Sequence, residues 1–527
     1  MLTLQNISYI HPNKELLFDG INLTINAHNK IALIGNNGVG KSTLFNIILN
    51  NLQPKTGRIE VEGMPYYVPQ VFGQFNQLNV AQALGIESKL NALTQILAGN
   101  ATEENFARLN DDWTIEDRCK EALAYWQLEG LELSHPMVSL SGGQKTKVFL
   151  AGIQIHQAEF ILLDEPSNHL DLIGRELLYQ FIQHTKSTLF IISHDRKLLN
   201  LLDTVCELTR TGINIFGGNY DFYASQKQIA NSALSQDIQS KEKALRKAKE
   251  KERETMERLQ KQDARGKKKQ EKAGVARIMM NTLRNNAENS TAKIKDIHTE
   301  KIGGITSELR ALRQNVADID QMKFGFDNTK LHKGKILFKA TNLNYSYGPK
   351  LLWKESLNFQ INSGERIALK GSNGSGKTTL IKLVLGDLEV ETTYNAVANA
   401  IYIDQDYSLI DNRLSIYEQA QHYNTNALHE HEVKIRLNRF LFAKDSWDKS
   451  CGSLSGGERM RLMLCCLTIK SIAPDLIILD EPTNNLDIQN IEILTAAINE
   501  YQGTLIVVSH DEYFLAQINI PKNIELF

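Results

Sequence analysis

The chain repeats one ordered set of four short motifs, and this duplication limits the fold more than any other feature of its 527 residues. In each copy a glycine-rich loop ending in Gly-Lys-Ser/Thr comes first. A Leu-Ser-Gly-Gly segment, an apolar run ending in Asp-Glu and a histidine then follow in the same order. The interval from Glu165 to His194 is 29 residues, and so is the interval from Glu481 to His510. A repeat of this kind predicts two similar domains that can face one another.

Both glycine-rich loops have the form Gly-x-x-x-x-Gly-Lys-Ser/Thr, which is that of a phosphate-binding loop, or P-loop. Backbone N–H groups and a helix N-terminus there hold phosphate oxygens, while the Lys neutralises the β and γ phosphates and the hydroxyl ligates Mg²⁺. ATP and Mg²⁺ are therefore the expected ligands. The predicted nucleotide-binding residues of the loops are Gly35, Asn36, Asn37, Gly38, Val39, Gly40, Lys41, Ser42 and Thr43, and Gly371, Ser372, Asn373, Gly374, Ser375, Gly376, Lys377, Thr378 and Thr379.

The Asp-Glu pairs supply the expected metal and catalytic carboxylates. Asp164 and Asp480 each end an apolar run, the position expected of a carboxylate that contacts the ligands of a bound Mg²⁺. Glu165 and Glu481 follow directly and are predicted to orient the attacking water as catalytic residues. An isolated Asp-Glu pair is more often a surface turn, but the two P-loops upstream favour the functional interpretation.

His194 and His510 each follow an apolar strand within Ser-His-Asp, and we predict that both contact the γ-phosphate as catalytic residues. The Leu-Ser-Gly-Gly segments offer a second hydroxyl and further backbone amides at a predicted helix start, which is a second anion site in each domain. One nucleotide does not need two such sites in one domain, so head-to-tail pairing of the domains is expected. The residues of these segments are Ser141, Gly142, Gly143 and Gln144, and Ser455, Gly456, Gly457 and Glu458.

The charge is uneven along the chain although the net charge is only −2. Residues 241–301 contain 19 Lys and Arg against 10 Asp and Glu, while the rest contains 40 against 51. A basic middle suggests a polyanionic partner for that segment, although a solvated helix surface is the simpler reading. Five scattered cysteines fit reduced thiols in a cytoplasmic protein, and no secretory signal or apolar stretch long enough to insert into a membrane is expected.

The predicted fold is α/β, with residues 1–225 and 331–527 forming two P-loop domains of layered helices and parallel strands. The first domain has 22 extra residues between its Lys and its Leu-Ser-Gly-Gly segment, placed within about 85–112. This insertion leaves open a short helical arm or a longer loop.

Residues 226–330 are predicted to form a basic interdomain linker of two antiparallel helices in a coiled coil. Residues 226–259 lack Pro and Gly and are rich in strong helix formers. The returning segment carries an apolar seam spaced 4,3,4,3, and residues 274–284 are predicted to form the turn between the helices. The seam residues are Ile305, Leu309, Leu312, Val316 and Ile319.

Taken together, the motifs resemble those of ATP-binding cassette (ABC) proteins over most of both domains. The resemblance implies Q-loop residues at Gln70 and Gln405, with Mg²⁺ contacts, and D-loop residues at Asp171 and Asp487. Tyr347 lies where ABC proteins often stack an aromatic ring on adenine, while the equivalent position of the first domain is His11.

Two fused cassettes, the charged linker and the run Glu-Pro-Ser-Asn-His-Leu-Asp at 165–171 resemble the ABC-F subfamily more narrowly. This resemblance implies an ATP-hydrolysing monomer whose two cassettes pair within one chain, and whose basic linker reaches rRNA and tRNA from the ribosomal exit site. Some members protect ribosomes from antibiotics, and the sequence leaves general translation and resistance both open. The independent charge count agrees, because rRNA is a polyanion.

Three other classes remain open at this point. One is a non-catalytic scaffold, which the two intact glutamates Glu165 and Glu481 argue against. The ATPase component of a membrane transporter would have no need of a linker of this length. A DNA-associated ABC ATPase would place its coil between the Lys and the Asp-Glu of one cassette, whereas here the predicted coil lies between two complete cassettes.

Overall fold

The computed structural model describes residues 1–12, 14–272, 277–314, 334–372, 374–425, 427–470 and 474–526, excluding the side chains of 263, 266–291, 294 and 314. The chain divides into two compact units. One unit combines Met1–Tyr223 with Gln321–Phe527, and the other is Ala224–Asp320. We call residues 1–223 the first cassette and residues 334–526 the second cassette.

The first cassette contains two sheets surrounded by helices. Its strands are β1 Leu2–Ile10, β2 Leu16–Ile25, β3 Lys30–Ile34, β4 Thr56–Val61, β5 Tyr66–Val68, β6 Phe160–Asp164, β7 Thr188–Ile192, β8 Thr204–Thr209 and β9 Gly212–Phe216. Its helices are α1 Lys41–Ile48, α2 Val80–Ala83, α3 Glu87–Leu97, α4 Glu103–Leu109, α5 Ile115–Tyr125, α6 Gly142–Ile155, α7 Leu172–His184 and α8 Arg196–Leu199.

The main sheet of the first cassette has the order β5-β6-β7-β3-β8-β9 and is parallel except for the β8–β9 pair. Strands β6 and β7 are buried at every residue, as expected for short apolar strands covered on both faces. A separate antiparallel sheet has the order β2-β1-β4 and packs with α1 in the same hydrophobic core. Because the neighbouring strands β3, β6 and β7 are parallel, their carboxyl ends lie at one edge, and the P-loop and the Asp-Glu pair follow two of them.

The second cassette repeats this plan. Its strands are β10 Ile336–Leu343, β11 Leu357–Asn362, β12 Arg366–Gly371, β13 Thr393–Asn395, β14 Ala400–Ile403, β15 Leu476–Asp480, β16 Thr504–Val508 and β17 Lys522–Leu526. Its helices are α11 Lys377–Leu385, α12 Ile416–His422, α13 Glu430–Arg439, α14 Gly456–Ile469, α15 Ile488–Glu500 and α16 Glu512–Gln517. The parallel sheet has the order β14-β15-β16-β12-β17, and the small antiparallel sheet has the order β11-β10-β13.

Both cassettes hold the end of one helix with a cation from the first residue of the P-loop strand. Lys30 Nζ donates to the carbonyl oxygen of Ile182 at the end of α7, at 2.7 Å. Arg366 Nη2 donates to the carbonyl oxygens of Ile498 and Tyr501 at the end of α15, both at 3.0 Å. A cation there satisfies carbonyls that the helix leaves unpaired and is favoured by the helix dipole.

The extra segment of the first cassette, residues 85–112, contains the helices α3 and α4. Asp112 joins this segment to the cassette, because Lys89 Nζ lies 2.9 Å and Arg118 Nη2 2.7 Å from its carboxylate. Burial alone would raise the pKa of Asp112, but the hydrogen bonds from these two cations lower it.

The second unit is formed by two long helices, α9 Tyr220–Lys272, whose first turn belongs to the first unit, and α10 Arg277–Gln314. Arg313 of α10 is 2.6 Å from Glu242 of α9, and Lys241 also pairs with Glu308. These pairs join the early part of one helix to the late part of the other, so the helices run antiparallel.

Several linker details differ from the sequence prediction. Helix α9 begins at Tyr220 rather than after residue 225, because Asn219 Oδ1 accepts the backbone N–H of Phe222 and caps the helix start. The predicted turn over 274–284 is wrong for 277–284, which are helical, since that stretch has neither Gly nor Pro. Residues 273–276 and two seam residues, Val316 and Ile319, lie outside the described residues.

The fold class is therefore confirmed: two α/β P-loop cassettes and an antiparallel helical linker. Among the described residues, no helix is long and apolar enough to cross a membrane. The predicted domain limits at 225 and 331 stay predictions, since the second of them falls within residues that the structure does not describe.

Candidate functional site: two P-loop centres

Each P-loop joins a buried strand to a helix and requires glycine at its last turn. Gly40 and Gly376 have φ of 102° and 91°, a left-handed conformation that side chains rarely adopt. A Cβ on Gly40 would lie 2.6 Å from Leu17 Cδ2, and one on Gly376 would lie 2.7 Å from Leu352 Cδ2. The loop backbone can therefore pack against Leu17 and Leu352 only without a side chain at these positions.

The P-loop lysines lie across their own loops. Lys41 Nζ donates to Gly35 O at 2.6 Å, and Lys377 Nζ donates to Gly371 O at 2.7 Å. Burial lowers the pKa of both lysines, while Glu165 is the strongest of the carboxylates that oppose this effect at Lys41. One predicted P-loop residue, Asn373, lies outside the described residues.

Both predicted catalytic glutamates have left-handed backbones. The φ angle is 50° at Glu165 and 47° at Glu481, although neither residue is glycine. Each backbone N–H donates to the neighbouring strand at 2.8 Å, to Ile192 O and Val508 O respectively. Non-glycine residues in this region cost roughly 1–3 kcal/mol and persist where the surrounding structure enforces them. This feature cannot be read from an Asp-Glu pair in a sequence.

The glutamates and histidines form one buried acid–imidazole pair in each cassette. His194 Nε2 lies 3.2 Å from Glu165 Oε1, and His510 Nε2 lies 3.4 Å from Glu481 Oε1. Burial raises the pKa of Glu165 to about 8 and that of Glu481 to about 7. Burial also lowers the pKa of His194 well below its usual value and that of His510 to about 4. A neutral imidazole therefore faces each carboxyl group.

The strand-end aspartates are each held by a tyrosine from the neighbouring strand. Tyr67 Oη donates to Asp164 Oδ2 at 3.3 Å, and Tyr402 Oη donates to Asp480 Oδ2 at 2.8 Å. The other oxygen of Asp164, Oδ1, is buried and has no hydrogen-bond partner among the described residues. Such an atom is costly to leave unpaired, so it is suited to an incoming cation.

These carboxylates fit Mg²⁺ only as part of a shared shell. In the part of the chain that the structure describes, no group of three or more His, Cys, Asp or Glu side chains is arranged to hold a metal. Mg²⁺ in nucleotide sites commonly uses one or two protein oxygens and completes its octahedron with phosphates and water. One free oxygen of Asp164 beside the P-loop is consistent with that arrangement.

The P-loop of the first cassette and the Leu-Ser-Gly-Gly segment of the second line a single cavity. The cavity has a volume of about 390 Å³, and Lys41, Ser42, Glu165 and Ser455 are among its lining residues. Ser455 caps the start of α14, where its Oγ accepts the backbone N–H of Glu458. A hydroxyl and free helix amides from one cassette therefore face the phosphate loop of the other.

Direct hydrogen bonds between the cassettes surround this first centre. Asn37 N donates to Asp487 Oδ2 at 2.7 Å, and Asn37 Nδ2 donates to Asn485 O at 3.0 Å. Asn485 Oδ1 also accepts from Gln70 Nε2 at 3.3 Å and from Asn168 Nδ2 at 3.4 Å. The predicted Q-loop of one cassette and D-loop of the other thus meet at Asn485, a residue that the sequence prediction did not include.

The described residues of the second centre, which exclude Asn373, line a cavity of their own. A cavity of about 360 Å³ brings Asp171 and His510 to Gly371 and Ser372, but neither Lys377 nor Ser141 lines it. Ser141 caps α6 with the same hydrogen-bond pattern as its counterpart, and Gln405 lies just beyond β14. Among the described residues, the first cavity is therefore lined by more of the predicted residues than the second.

The predicted adenine positions differ as the sequence suggested. His11 lines the first cavity and has its ring 5.7 Å from that of Tyr9, edge to face. Tyr347 is 65% exposed and shares a 3.3 Å hydrogen bond with Thr379. Both rings lie beside their P-loops, and an exposed Tyr face is the better stacking surface.

Comparisons with known proteins match both cassettes. A family model described as "ABC transporter" matches residues 18–168 and 355–484. The ATP-binding protein Uup of Escherichia coli is 30% identical over 95% of this chain and 76% of its own length. The ribosome protection protein VmlR of Bacillus subtilis is 29% identical, covering 99% of this chain and 86% of that protein.

Two further comparisons also cover nearly the whole chain. ABC transporter F family member 5 of Arabidopsis thaliana is 27% identical, over 98% of this chain and 73% of its own length. A crystal structure of the archaeal ribosome recycling factor aABCE1, in complex with a ribosomal stalk protein, has the same fold with a TM-score of 0.59. It is 19% identical and covers 98% of this chain and 86% of that one.

Proposed function

This chain belongs to the ABC transporter family and to its F group, and we propose that it is an ATP-hydrolysing protein that binds ribosomes and modulates translation. The ATP-dependent part of this proposal rests on one observation. Ser455 of the second cassette lines the same cavity as Lys41 and Glu165 of the first. A nucleotide held there would touch both cassettes, so its binding would favour the paired arrangement and its hydrolysis would release it.

Each residue has a distinct task in this proposal. Lys41 leaves its loop carbonyls to neutralise β and γ phosphates, and the capped helix start at Ser455 supplies a hydroxyl and amides to the γ-phosphate. Glu165 orients the attacking water, and His194 holds that carboxyl and contacts the γ-phosphate. Lys377, Ser141, Glu481 and His510 are assigned the same tasks at the second centre.

Mg²⁺ is proposed as the cofactor of both centres. When bound, it would neutralise charge on the β and γ phosphates. Ser42 and Asp164 would hold it in the first cassette, and Thr378 and Asp480 in the second, with Gln70 and Gln405 of the Q-loops near the same shell. The unpaired Oδ1 of Asp164 supports this assignment.

The test of hydrolysis is the double substitution Glu165→Gln and Glu481→Gln. Loss of both carboxylates should slow turnover strongly, while ATP still binds and the protein stays on ribosomes. ATP turnover and ribosome co-sedimentation are measured in parallel. Near-normal turnover in the double variant would remove both glutamates from the mechanism.

The ribosomal partner is proposed to be rRNA and tRNA near the exit site, contacted by the basic linker of a monomeric protein. The charge of residues 241–301 supports this, because binding to phosphates depends on cations. Five tip residues carry the test: Lys267, Lys268, Lys269, Arg277 and Arg284, whose side chains lie outside the described residues.

Replacing these five with Gln should weaken ribosome binding. The slope of the logarithm of the binding constant against the logarithm of salt concentration should also flatten, by up to about 0.7–0.9 for each phosphate that is no longer neutralised. ATP turnover without ribosomes should stay near the wild-type value, because no nucleotide ligand is changed. Titration against ribosomes at several salt concentrations measures both effects. An unchanged affinity and slope would return the transporter and DNA alternatives to consideration.

Ribosome protection against antibiotics is a second candidate. The likeness to VmlR over 99% of this chain favours it. Expression in a susceptible bacterial strain, with the double Glu→Gln variant as the matched control, should raise the inhibitory concentration of antibiotics that act at the peptidyl-transferase centre. No increase for any such antibiotic would leave the general translation role.

A further inference from the structure

A single arginine lies where the first cassette, the second cassette and the start of the linker helix meet. Arg196 is the first residue of α8, two positions after His194, and its side chain is only 11% exposed. Its Nη2 lies 3.3 Å from Glu492 Oε1 on α15 of the second cassette. The same guanidinium lies over the ring of Tyr513, also in the second cassette, at 5.8 Å.

The other contact of Arg196 is with the first turn of α9. Its guanidinium carbon lies 5.7 Å from the centroid of the Tyr220 ring, a cation–π distance, and Tyr220 is buried. A second link binds α8 to the same turn: Asp221 N donates to Asn200 Oδ1 at 2.9 Å, and Asn200 Nδ2 donates to Asp221 Oδ1 at 3.1 Å. Two hydrogen bonds therefore connect the start of α9 to the end of α8.

Hydrogen bonds also connect helix α8 to the first nucleotide centre. Asp195 caps it by accepting the backbone N–H groups of Lys197 and Leu198, and Tyr179 Oη donates to Asp195 Oδ2 at 2.5 Å. The preceding backbone N–H, that of His194, donates to Glu165 Oε2 at 3.3 Å. One continuous chain of interactions therefore runs from the predicted γ-phosphate histidine to the start of α9.

The duplicated sequence offers an internal comparison. The residue two positions after the second histidine, His510, is the acidic and exposed Glu512. The arginine is thus specific to the copy that precedes the linker helix. A general packing role of this position would not require opposite charges in the two copies.

We propose that Arg196 is a positioning residue that makes the first turn of α9 respond to pairing of the cassettes around ATP. The proposal rests on the proposed function, since it needs ATP to pair the cassettes. Pairing brings Glu492 and Tyr513 onto the guanidinium, which fixes it over Tyr220. Separation removes those two interactions and with them the fixed position of the guanidinium over Tyr220, while the hydrogen bonds of Asp221 with Asn200 and of Tyr223 with Glu207 remain.

Hydrogen–deuterium exchange of the full chain tests this, with and without a non-hydrolysable ATP analogue and Mg²⁺. In the wild type the analogue should slow exchange over residues 220–226 by at least about fivefold, the lower end of usual coupling between sites. Arg196→Met should lose this protection. Arg196→Lys should restore part of it, because a lysine keeps the charge but not the planar stacking.

Lys197→Met is the matched control, since Lys197 is the next residue on α8. It pairs with Glu176 at 3.2 Å, is 52% exposed, and makes no ion pair with α9 or the second cassette among the described residues. Its variant should keep the wild-type protection. Where Arg196→Met fails to fold, Glu492→Ala and Tyr513→Leu remove the same interactions from the other side and should give the same loss.

Exchange at residues 454–458, the Leu-Ser-Gly-Gly-Glu segment that meets the first P-loop, measures cassette pairing independently of α9. Protection there without protection at 220–226 in the wild type would overturn this inference and leave the proposed function standing. Equal protection at 220–226 in the wild type and the Arg196→Met variant would also overturn it. No protection at 454–458 in the wild type would refute ATP-dependent pairing and this inference with it.

Discussion

The carboxylate of Asp487 joins the two cassettes at the first centre and also begins a helix. Its Oδ1 caps α15 by accepting the backbone N–H of Asn490 at 2.8 Å. Its Oδ2 accepts the backbone N–H of Asn37 in the other cassette at 2.7 Å, and Asp487 is only 4% exposed. The substitution Asp487→Asn keeps the shape and the capping ability but converts one acceptor into a donor.

The size of the effect follows from these hydrogen bonds. In either orientation of the new amide, an NH₂ group faces a backbone N–H. Removing a hydrogen bond to a charged group costs about 1.5–3 kcal/mol, and the neutral bonds that Asn485 makes across the interface remain. Pairing should become less favourable by about 2 kcal/mol, which weakens ATP binding at the first centre by roughly 30-fold.

Asp112→Asn in the first cassette is the matched control. The Asp112 carboxylate is also a mostly buried charged acceptor, held by Lys89 and Arg118, but Asp112 lines neither nucleotide cavity. Its variant should change ATP affinity by less than about threefold, because distant sites act nearly independently. Binding of a fluorescent ATP analogue to the ribosome-free protein measures both. Equal effects of the two substitutions, or none from Asp487→Asn, would refute the reasoning.

Three further predictions concern other parts of the molecule. Ser455→Arg should abolish nucleotide binding at the centre built on Lys41, because a bulky cation would enter its cavity. The measurement is the number of nucleotides bound per chain, and loss at the other centre instead would contradict head-to-tail pairing. Asp112→Asn should lower the Tm near neutral pH, and the difference from the wild type should shrink below about pH 4. A carboxyl group whose pKa is lowered in the folded state stabilises the fold only while it is ionised, and this contribution is lost as the pH falls through that pKa. Arg366→Met should destabilise the second cassette by about 2–4 kcal/mol, since the end of α15 loses charged donors. Arg413→Met, at a site 89% exposed, should leave the unfolding temperature nearly unchanged, and thermal unfolding of both variants would show equal shifts if the cap were unimportant.

Much of the fold follows from the sequence because the P-loop cassette is marked by local patterns. A strand, a glycine-rich turn and a helix occur in order around Lys41 and Lys377, and apolar runs before Asp164 and Asp480 are long enough only for buried strands. These patterns also locate the candidate site, because parallel strands deliver their following residues to one edge of a sheet.

The interactions between the cassettes could not be predicted in the same way. Asn485 and Arg196 have no sequence pattern of their own, and their partners are about 300 or more residues away in the chain. The first centre likewise depends on packing between distant segments. Helix limits failed for a local reason, since Asn219 caps α9 before the Lys- and Glu-rich composition begins.

The left-handed backbone of Glu165 has a consequence for laboratory selection. Gly and Asn accept φ near 50° more readily than Glu does, so replacing Glu165 with either should relieve backbone strain while deleting the carboxylate. A screen for heat resistance would then enrich the variants that a screen for turnover discards. Thermal robustness and chemistry are opposed at this one residue, and again at Glu481, so neither position should be left free in a stabilisation library.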